Sequence, residues 1–233
     1  MSVQISIIIP CYNEAANIAK CIEQIRSCAK NYDDIEIIVA DGGSIDGSLE
    51  ILKNLPVQTL LCNITGRAKQ MNLGATKSSG KILYFLHADT FPPYHFDQII
   101  AEANHEKIIA GCFRLQFDYQ HWFLKVNACF TRFNINSFRF GDQSLFISKD
   151  AFIKLGGFNE QNLVFEDQQI VQRIRQYYQF KVLSQYVTTS ARMYLKNGIY
   201  FTQFYYFYLF ALYKFGVSQE LILKKYKTNL NRD

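Results

Sequence analysis

The chain reads as an α/β protein with a mostly parallel central sheet flanked by helices, and three observations carry that reading. Short β-branched runs recur in the first half, at 5–9 (ISIII), 35–39 (IEIIV) and 81–86 (KILYFL), with a weaker one at 57–61 (VQTLL). Their nearly continuous apolar character is that of strands buried on both faces, as in parallel sheets. Longer stretches with helical spacing separate them, and the second half turns to a mixture of alternating strands and helical patterns.

Taken in order, the first run leads into 14–28, where Ala15, Ile18, Ala19, Ile22 and Ile25 recur close to the helical period. Residues 47–55 and 67–78 read as further helices between the later runs. Such a βαβ series places its strand-to-helix loops at the carboxyl ends of the strands, where open α/β sheets bind ligands. Beyond residue 90, the stretch 108–118 (IIAGCFRLQFD) alternates in part like an antiparallel strand, 122–133 reads helical and 143–147 reads as a strand. Gly156 and Gly157 mark a turn, 166–178 is helical and 180–190 returns to strand. No linker, repeat or low-complexity tract divides the chain, so residues 1–233 are expected to share one core as a single domain.

A chain of 233 residues, 49% of them hydrophobic, is long enough to bury a sizeable core. Its net charge of +5 suits acidic ligands, phosphates included, and is spread along the sequence apart from a short basic tail at Lys224, Lys225 and Lys227. No helix-turn-helix, zinc-finger or aromatic-basic pattern is present, so nucleic acid is not an expected partner. The cysteines at 11, 21, 28, 62, 112 and 129 form no CxxC pair, which points to a reducing compartment rather than a disulfide framework or zinc site. The opening MSVQISIIIPCYNE lacks a basic segment followed by a long apolar one, so the expected location is cytoplasmic.

Residues 199–215 (IYFTQFYYFYLFALYKF) are apolar and aromatic but fall short of the roughly 20 residues a membrane-spanning helix needs. They read either as a core or dimer-interface helix or as an interfacial helix. In the second case the tyrosines sit at headgroup level and the basic tail faces anionic lipid, peripherally at the inner face of the membrane.

Three acids fall at strand ends: Glu14 after PCYN, Asp41 after IIVA and Asp89 after LHA. Parallel strands share a carboxyl edge, so these acids should converge. The segment 41–47 (DGGSIDG) adds glycines that permit close backbone approach, together with Ser44 and Asp46 near a helix start. Taken alone, Asp46 reads as a helix N-cap, and Glu166 and Asp167 read as acids complementing the dipole of the helix they open.

In their order, 10–14 (PCYNE), 41–47 (DGGSIDG), 70–74 (QMNLG), 87–89 (HAD), 141–143 (GDQ), 156–158 (GGF) and 166–167 (ED) resemble the family 2 glycosyltransferases. That family has the GT-A fold, the Rossmann-like architecture of nucleotide-diphospho-sugar transferases, and the resemblance covers roughly residues 4–195. Residues 66–72 (GRAKQMN), 86–90 (LHADT) and 189–192 (TSAR) look further like the branch described as radical-SAM/selenodomain-associated.

The resemblance implies a division into a nucleotide-binding half to about residue 90, an acceptor and catalytic half over about 91–195, and an aromatic C-terminal helical segment over 196–233. It implies a nucleotide-sugar donor held by Pro10, Tyr12, Glu14, Asp41, Ser44, Asp46 and Arg67, with Asp41 accepting from the base and Arg67 facing phosphate. Asp142, Gln143 and Glu166 match the sugar or acceptor side, Arg192 the basic group near the leaving phosphate, and Asp167 the catalytic base. Asp89 matches the last acid of the family's Asp-x-Asp motif, which holds a divalent cation, Mn²⁺ or Mg²⁺, on the diphosphate. His87 stands where that motif has its first Asp, which removes one negative charge; magnesium prefers oxygen ligands whereas manganese tolerates imidazole. The implied reaction moves a sugar onto a hydroxyl acceptor with inversion.

Two rival readings are a nucleotidyltransferase-like enzyme and a non-catalytic nucleotide-sugar-binding protein. The first calls for a Gly-rich basic loop after the opening strand, where this chain has PCYNE. The second has to explain why Asp167 is retained.

Overall fold

The computed structural model describes residues 3–62, 66–136 and 143–230. Strands β1 (Ile5–Cys11), β2 (Ile35–Asp41), β3 (Gln58–Leu61) and β4 (Ile82–Phe85) coincide with the four apolar runs. They alternate with helices α1 (Ile18–Cys28), α2 (Ser48–Lys53) and α3 (Arg67–Lys77). The two-residue strand β5 (Thr90–Phe91) and helix α4 (Phe96–His105) follow, then β6 (Ala110–Phe117) and α5 (Trp122–Cys129). After β7 (Leu145–Ser148) come α6 (Lys149–Lys154), α7 (Glu166–Tyr177) and β8 (Phe180–Thr189). Helices α8 (Arg192–Asn197), α9 (Ile199–Lys214) and α10 (Gln219–Asn229) close the chain.

The eight strands form one sheet in the order β3-β2-β1-β4-β7-β6-β8-β5. The block β3-β2-β1-β4 is parallel, as the apolar runs predict. The rest is mixed: β7 is antiparallel to both β4 and β6, β6 is parallel to β8, and β5 is antiparallel to β8. Strand β6 thus has an antiparallel and a parallel neighbour, and its partial alternation follows from burial: Ala110–Phe113 are buried without a break, and the strand alternates only beyond them.

Both faces of the parallel block are covered, and the pleat decides which residue goes where. Ile5, Ile7 and Ile9 face a core built with α1 and α4, through Ile18, Ile22, Ile25, Phe96 and Ile100. Ile8 points the other way and packs with Ala68, Met71 and Ala75 of α3 and with Ile170 and Ile174 of α7. With helices on both sides, the functional surface is left to the carboxyl edge.

The sequence pattern does not reveal β5, α4, α6, α8 or α10, and it starts the first helix four residues early. Helices α6 and α8 have six residues each, under two turns, too short for a period to show. Helix α4 starts just past the Pro92-Pro93 turn, with His95 in the left-handed region at φ 57° as its cap. Helix α10 buries only Ile222, so its lysines read as a tail. A third, smaller cluster forms where Leu209 of α9 meets Ile222 and Leu230, with Phe165 and Met193 packed against it.

Candidate active site

Strands β1 and β2 end side by side, with Cys11 opposite Asp41 in register. The loops that follow are locked together. The Asn13 N–H donates to Ser44 Oγ at 2.9 Å, and the Ile45 N–H donates back to Asn13 Oδ1 at 2.9 Å. The Glu14 N–H donates to Ser48 Oγ and the Ala15 N–H to Asp46 Oδ2, both at 2.9 Å. Asn13 holds φ 54°, and Gly43 and Gly47 hold φ 91° and 94°, so the loop pair needs left-handed backbone at three places.

Asp41 is fully buried and folds its own loop. Its Oδ1 accepts from the Gly43 and Ser44 N–H groups, each at 2.8 Å, and its Oδ2 accepts from Ser44 Oγ at 2.5 Å. A carboxylate offers about four acceptor sites, so one on Oδ2 remains beyond these three. Asp46 is tied as well: its Oδ1 accepts from the Ser48 N–H at 3.0 Å and from Ser48 Oγ, while Oδ2 takes Ala15. Burial works against ionisation there, yet the Ser48 and Ala15 hydrogen bonds win and hold the carboxyl below its usual range. The N-cap of α2 is Gly47, so Asp46 is not the cap itself but the staple between the two loops.

Gln70 completes this substructure, a role that its place in a sequence motif does not show. It lies in α3, is buried, and its Nε2 donates to the Cys11 and Ala40 carbonyls, both at 2.7 Å. The ends of β1 and β2 are thereby clamped from below, and Gly42 lies against the amide: a Cβ there would meet Gln70 at 3.1 Å. A polar residue among the buried positions of α3 was the available signal. A Gln70→Leu substitution removes a donor from two buried carbonyls, leaving that of Cys11 with the Gly42 N–H alone, and is expected to cost about 1–3 kcal/mol of stability, read as a lowered urea midpoint with unchanged slope.

Beneath the same edge, burial first, and then the Asp41 and Glu14 carboxylates, push the Cys11 thiol up to about 12. Burial likewise raises Cys21, whose Sγ lies 3.7 Å from the His87 carbonyl. Both remain protonated and packed, so neither serves as a nucleophile.

The third acid joins through an arginine. After β4 the chain turns, with the Thr90 N–H donating to the His87 carbonyl at 3.1 Å, and Asp89 lies in that turn. Strand β5 pairs Thr90 with Thr189, and the Ser190 N–H donates to the Asp89 carbonyl at 3.2 Å, which brings the start of α8 beside Asp89. Arg192 then bridges the two acids. Its Nη1 donates to Glu14 Oε2 at 2.8 Å, its Nη2 to Glu14 Oε1, and Nη2 lies 3.1 Å from Asp89 Oδ2. The Glu14 hydrogen bonds, with burial opposing and Asp89 adding, raise the guanidinium above its ordinary range and keep it charged. Asn17 Nδ2 donates to Glu14 Oε2 at 2.7 Å and fixes the carboxylate from its other side.

A second ion pair ties the start of α3 to the start of α7. Arg67, the first residue of α3, places Nη1 3.4 Å from Glu166 Oε1, with the Glu166 side chain 3% exposed and that of Arg67 51%. Glu166 is therefore the buried half of a pair, and Asp167 beside it is half-buried on the first turn of α7. Phe165 caps α7 in the left-handed region at φ 60°, held there by its ring against Phe210 and Tyr213 of α9. Gln168 is fully buried, and its amide has no hydrogen-bond partner among the described residues.

Of the remaining expected site residues, Tyr12 is exposed and Pro10 partly so, at the end of β1. Gln143 is buried and accepts from Cys112 Sγ at 3.7 Å. Asp142 lies outside the described residues. Among the described residues no group of three or more His, Cys, Asp or Glu side chains could hold a metal ion.

A curled mixed sheet with its loops gathered at this edge is the GT-A fold, and solved glycosyltransferases share it. S. aureus TarS 1–349 in complex with UDP superimposes with a TM-score of 0.65 at 15% identity, over 80% of this chain and 60% of that one. The mannosyltransferase PcManGT from Pyrobaculum calidifontis, in complex with GDP-Man and Mn²⁺, superimposes with a TM-score of 0.63 at 17% identity, over 81% and 57%. The chain belongs to the Glycosyl transferase family 2, whose family profile matches residues 6–160. Among curated relatives, the glycosyltransferase AglE of Haloferax volcanii is 38% identical over 96 residues, 38% of this chain and 31% of that protein. The undecaprenyl-phosphate 4-deoxy-4-formamido-L-arabinose transferase of Proteus mirabilis is 27% identical over 143 residues, 55% and 44%. The chain thus spans less than half the length of these two relatives.

Proposed function

We propose that this protein transfers a sugar from a nucleotide-diphosphate donor to a hydroxyl acceptor with inversion, using Asp167 as general base. The observation that carries the reading is Arg192 bridging Glu14 and Asp89 at the edge where the loops after β1, β2 and β4 meet. Two acids and a guanidinium converging there make a polar seat for a diphosphate.

The roles follow from position. Asp41 shapes the loop around the base and offers its remaining Oδ2 lone pair to a base N–H, while Ser44 and Asp46 keep the β1 and β2 loops together. Tyr12 and Pro10 line the same rim. Arg192 and Arg67 exchange their carboxylate partners for donor phosphate oxygens and stabilise the charge that grows on the leaving nucleoside diphosphate. Asp167 takes the proton from the acceptor hydroxyl as it attacks the anomeric carbon. Glu166 and Gln143, with Asp142 by the family resemblance, serve the sugar or acceptor side.

A divalent cation fits the donor chemistry of the edge, since Glu14 and Asp89 present carboxylate oxygens to one cationic centre. Asp89 would hold it, with His87 as a second ligand for manganese, and its other ligands would be the diphosphate and water. When bound, such a cation neutralises charge on the leaving group. The PcManGT complex with GDP-Man and Mn²⁺ and the TarS complex with UDP support a donor of this class. The motifs at 66–72, 86–90 and 189–192 support the radical-SAM/selenodomain-associated branch as part of the same reading.

The test is release of nucleoside diphosphate from a panel of uridine, guanosine and thymidine diphosphate sugars, with manganese or with chelator. At least one donor is expected to be hydrolysed slowly without acceptor. A panel neither hydrolysed nor bound would remove the reading.

A further inference from the structure

We infer that α5 and α9 together form a membrane-docking face that seats the protein on an anionic lipid surface. The two helices are joined by the hydrogen bond from Asn127 Nδ2 to Gln203 Oε1 at 2.9 Å, and the Trp122 and Tyr200 rings lie 6.4 Å apart. Along α9, Tyr200, Phe204, Phe207 and Ala211 are exposed at i, i+4, i+7 and i+11, and Phe215 extends the line past the helix end. Trp122 is 63% exposed, Phe204 72% and Phe215 86%. A solvated helix carries polar residues on such a stripe; here it is aromatic, a pattern that marks an interaction surface.

Charge selects the partner. Through residue 190 the chain has 18 basic and 18 acidic residues, whereas 191–230 has six basic and one acidic, so the excess charge sits with the C-terminal helices. Neither α5 nor α9 contains an acid. Lys225 of α10 lies with Nζ 5.5 Å from the Tyr208 ring, which brings the basic helix to the margin of the aromatic stripe. Aromatic rings flanked by lysines suit the headgroup layer of an anionic bilayer. No helix among the described residues is long and apolar enough to cross a membrane, so the helix lies in the surface plane. Phe210 and Tyr213 of the same α9 pack on Phe165 beside Glu166 and Asp167. Docking therefore holds the candidate active site close to the headgroups.

The protein carries its own reporter, because Trp122 is the single tryptophan and stands on the proposed face. Titrating phosphatidylglycerol/phosphatidylcholine vesicles into the full chain is expected to shift Trp122 emission to the blue, with quenching by brominated acyl chains. Phe204→Ser with Phe207→Ser, and separately Lys224→Gln with Lys227→Gln, are each expected to weaken vesicle binding at least tenfold, as is raised salt for the wild type. The lysine pair serves as the folding control for the aromatic one, since those side chains are solvent-facing. Unshifted emission with anionic vesicles, or equal binding to pure phosphatidylcholine, would overturn the inference. So would light scattering that shows a dimer which the phenylalanine pair converts to monomer, because the stripe would then be covered by a second copy. None of these readouts depends on glycosyl transfer.

Discussion

An Asp167→Asn variant is expected to bind the nucleotide-sugar donor as the wild type does and to turn it over about 10²–10⁴-fold more slowly, the range a general base contributes. Asn keeps the shape of the side chain and removes only its ability to take a proton. The first turn of α7 also loses a negative charge that complements its dipole, at about 0.3–1 kcal/mol, too little to unfold the helix that packs Ile170, Val171 and Ile174 into the core. The comparison is steady-state transfer together with calorimetric donor binding. Turnover within tenfold of wild type would take the base role away from Asp167.

Asp41→Asn is expected to act on binding. Its Oδ1 can still accept from Gly43 and Ser44, but the amide placed at Oδ2 donates where the carboxylate accepted from Ser44 Oγ, and the charge that strengthens all three bonds is gone. The acceptor site proposed for the base is lost at the same time. A hydrogen bond to a charged group contributes about 1.5–3 kcal/mol, so donor affinity should fall at least tenfold and stability by about 1–3 kcal/mol. Unchanged affinity would mean that the base lies elsewhere.

The parallel half of the fold was legible because its strands are buried on both faces, and burial on both faces writes itself as unbroken Ile, Val and Leu. Once those strands were placed, the meeting of Glu14, Asp41 and Asp89 at one edge followed from topology alone, and the structure puts Glu14 and Asp89 on one guanidinium. The sequence could not show how the acids are occupied. Arg192 is 178 residues from Glu14, and the short pairing of β5 with β8, continued by the Ser190–Asp89 hydrogen bond, brings it there. Nothing in the 70–74 motif reveals the role of Gln70, since what makes it matter is two carbonyls from different strands. Short α6 and α8 and the lysine-rich α10 carry too little apolar period to be seen. The mixed half of the sheet was half-visible in β6, where one neighbour runs antiparallel and the other parallel.

The most direct measurement is a side-by-side calorimetric titration of nucleoside diphosphates and nucleotide sugars, with manganese, into wild type, Asp41→Asn and Asp167→Asn. The expected result is saturable binding of one nucleotide class to wild type and to Asp167→Asn, with at least tenfold loss in Asp41→Asn. Absence of binding by every nucleotide to the wild type, or equal binding to all three proteins, would contradict a donor site at this edge.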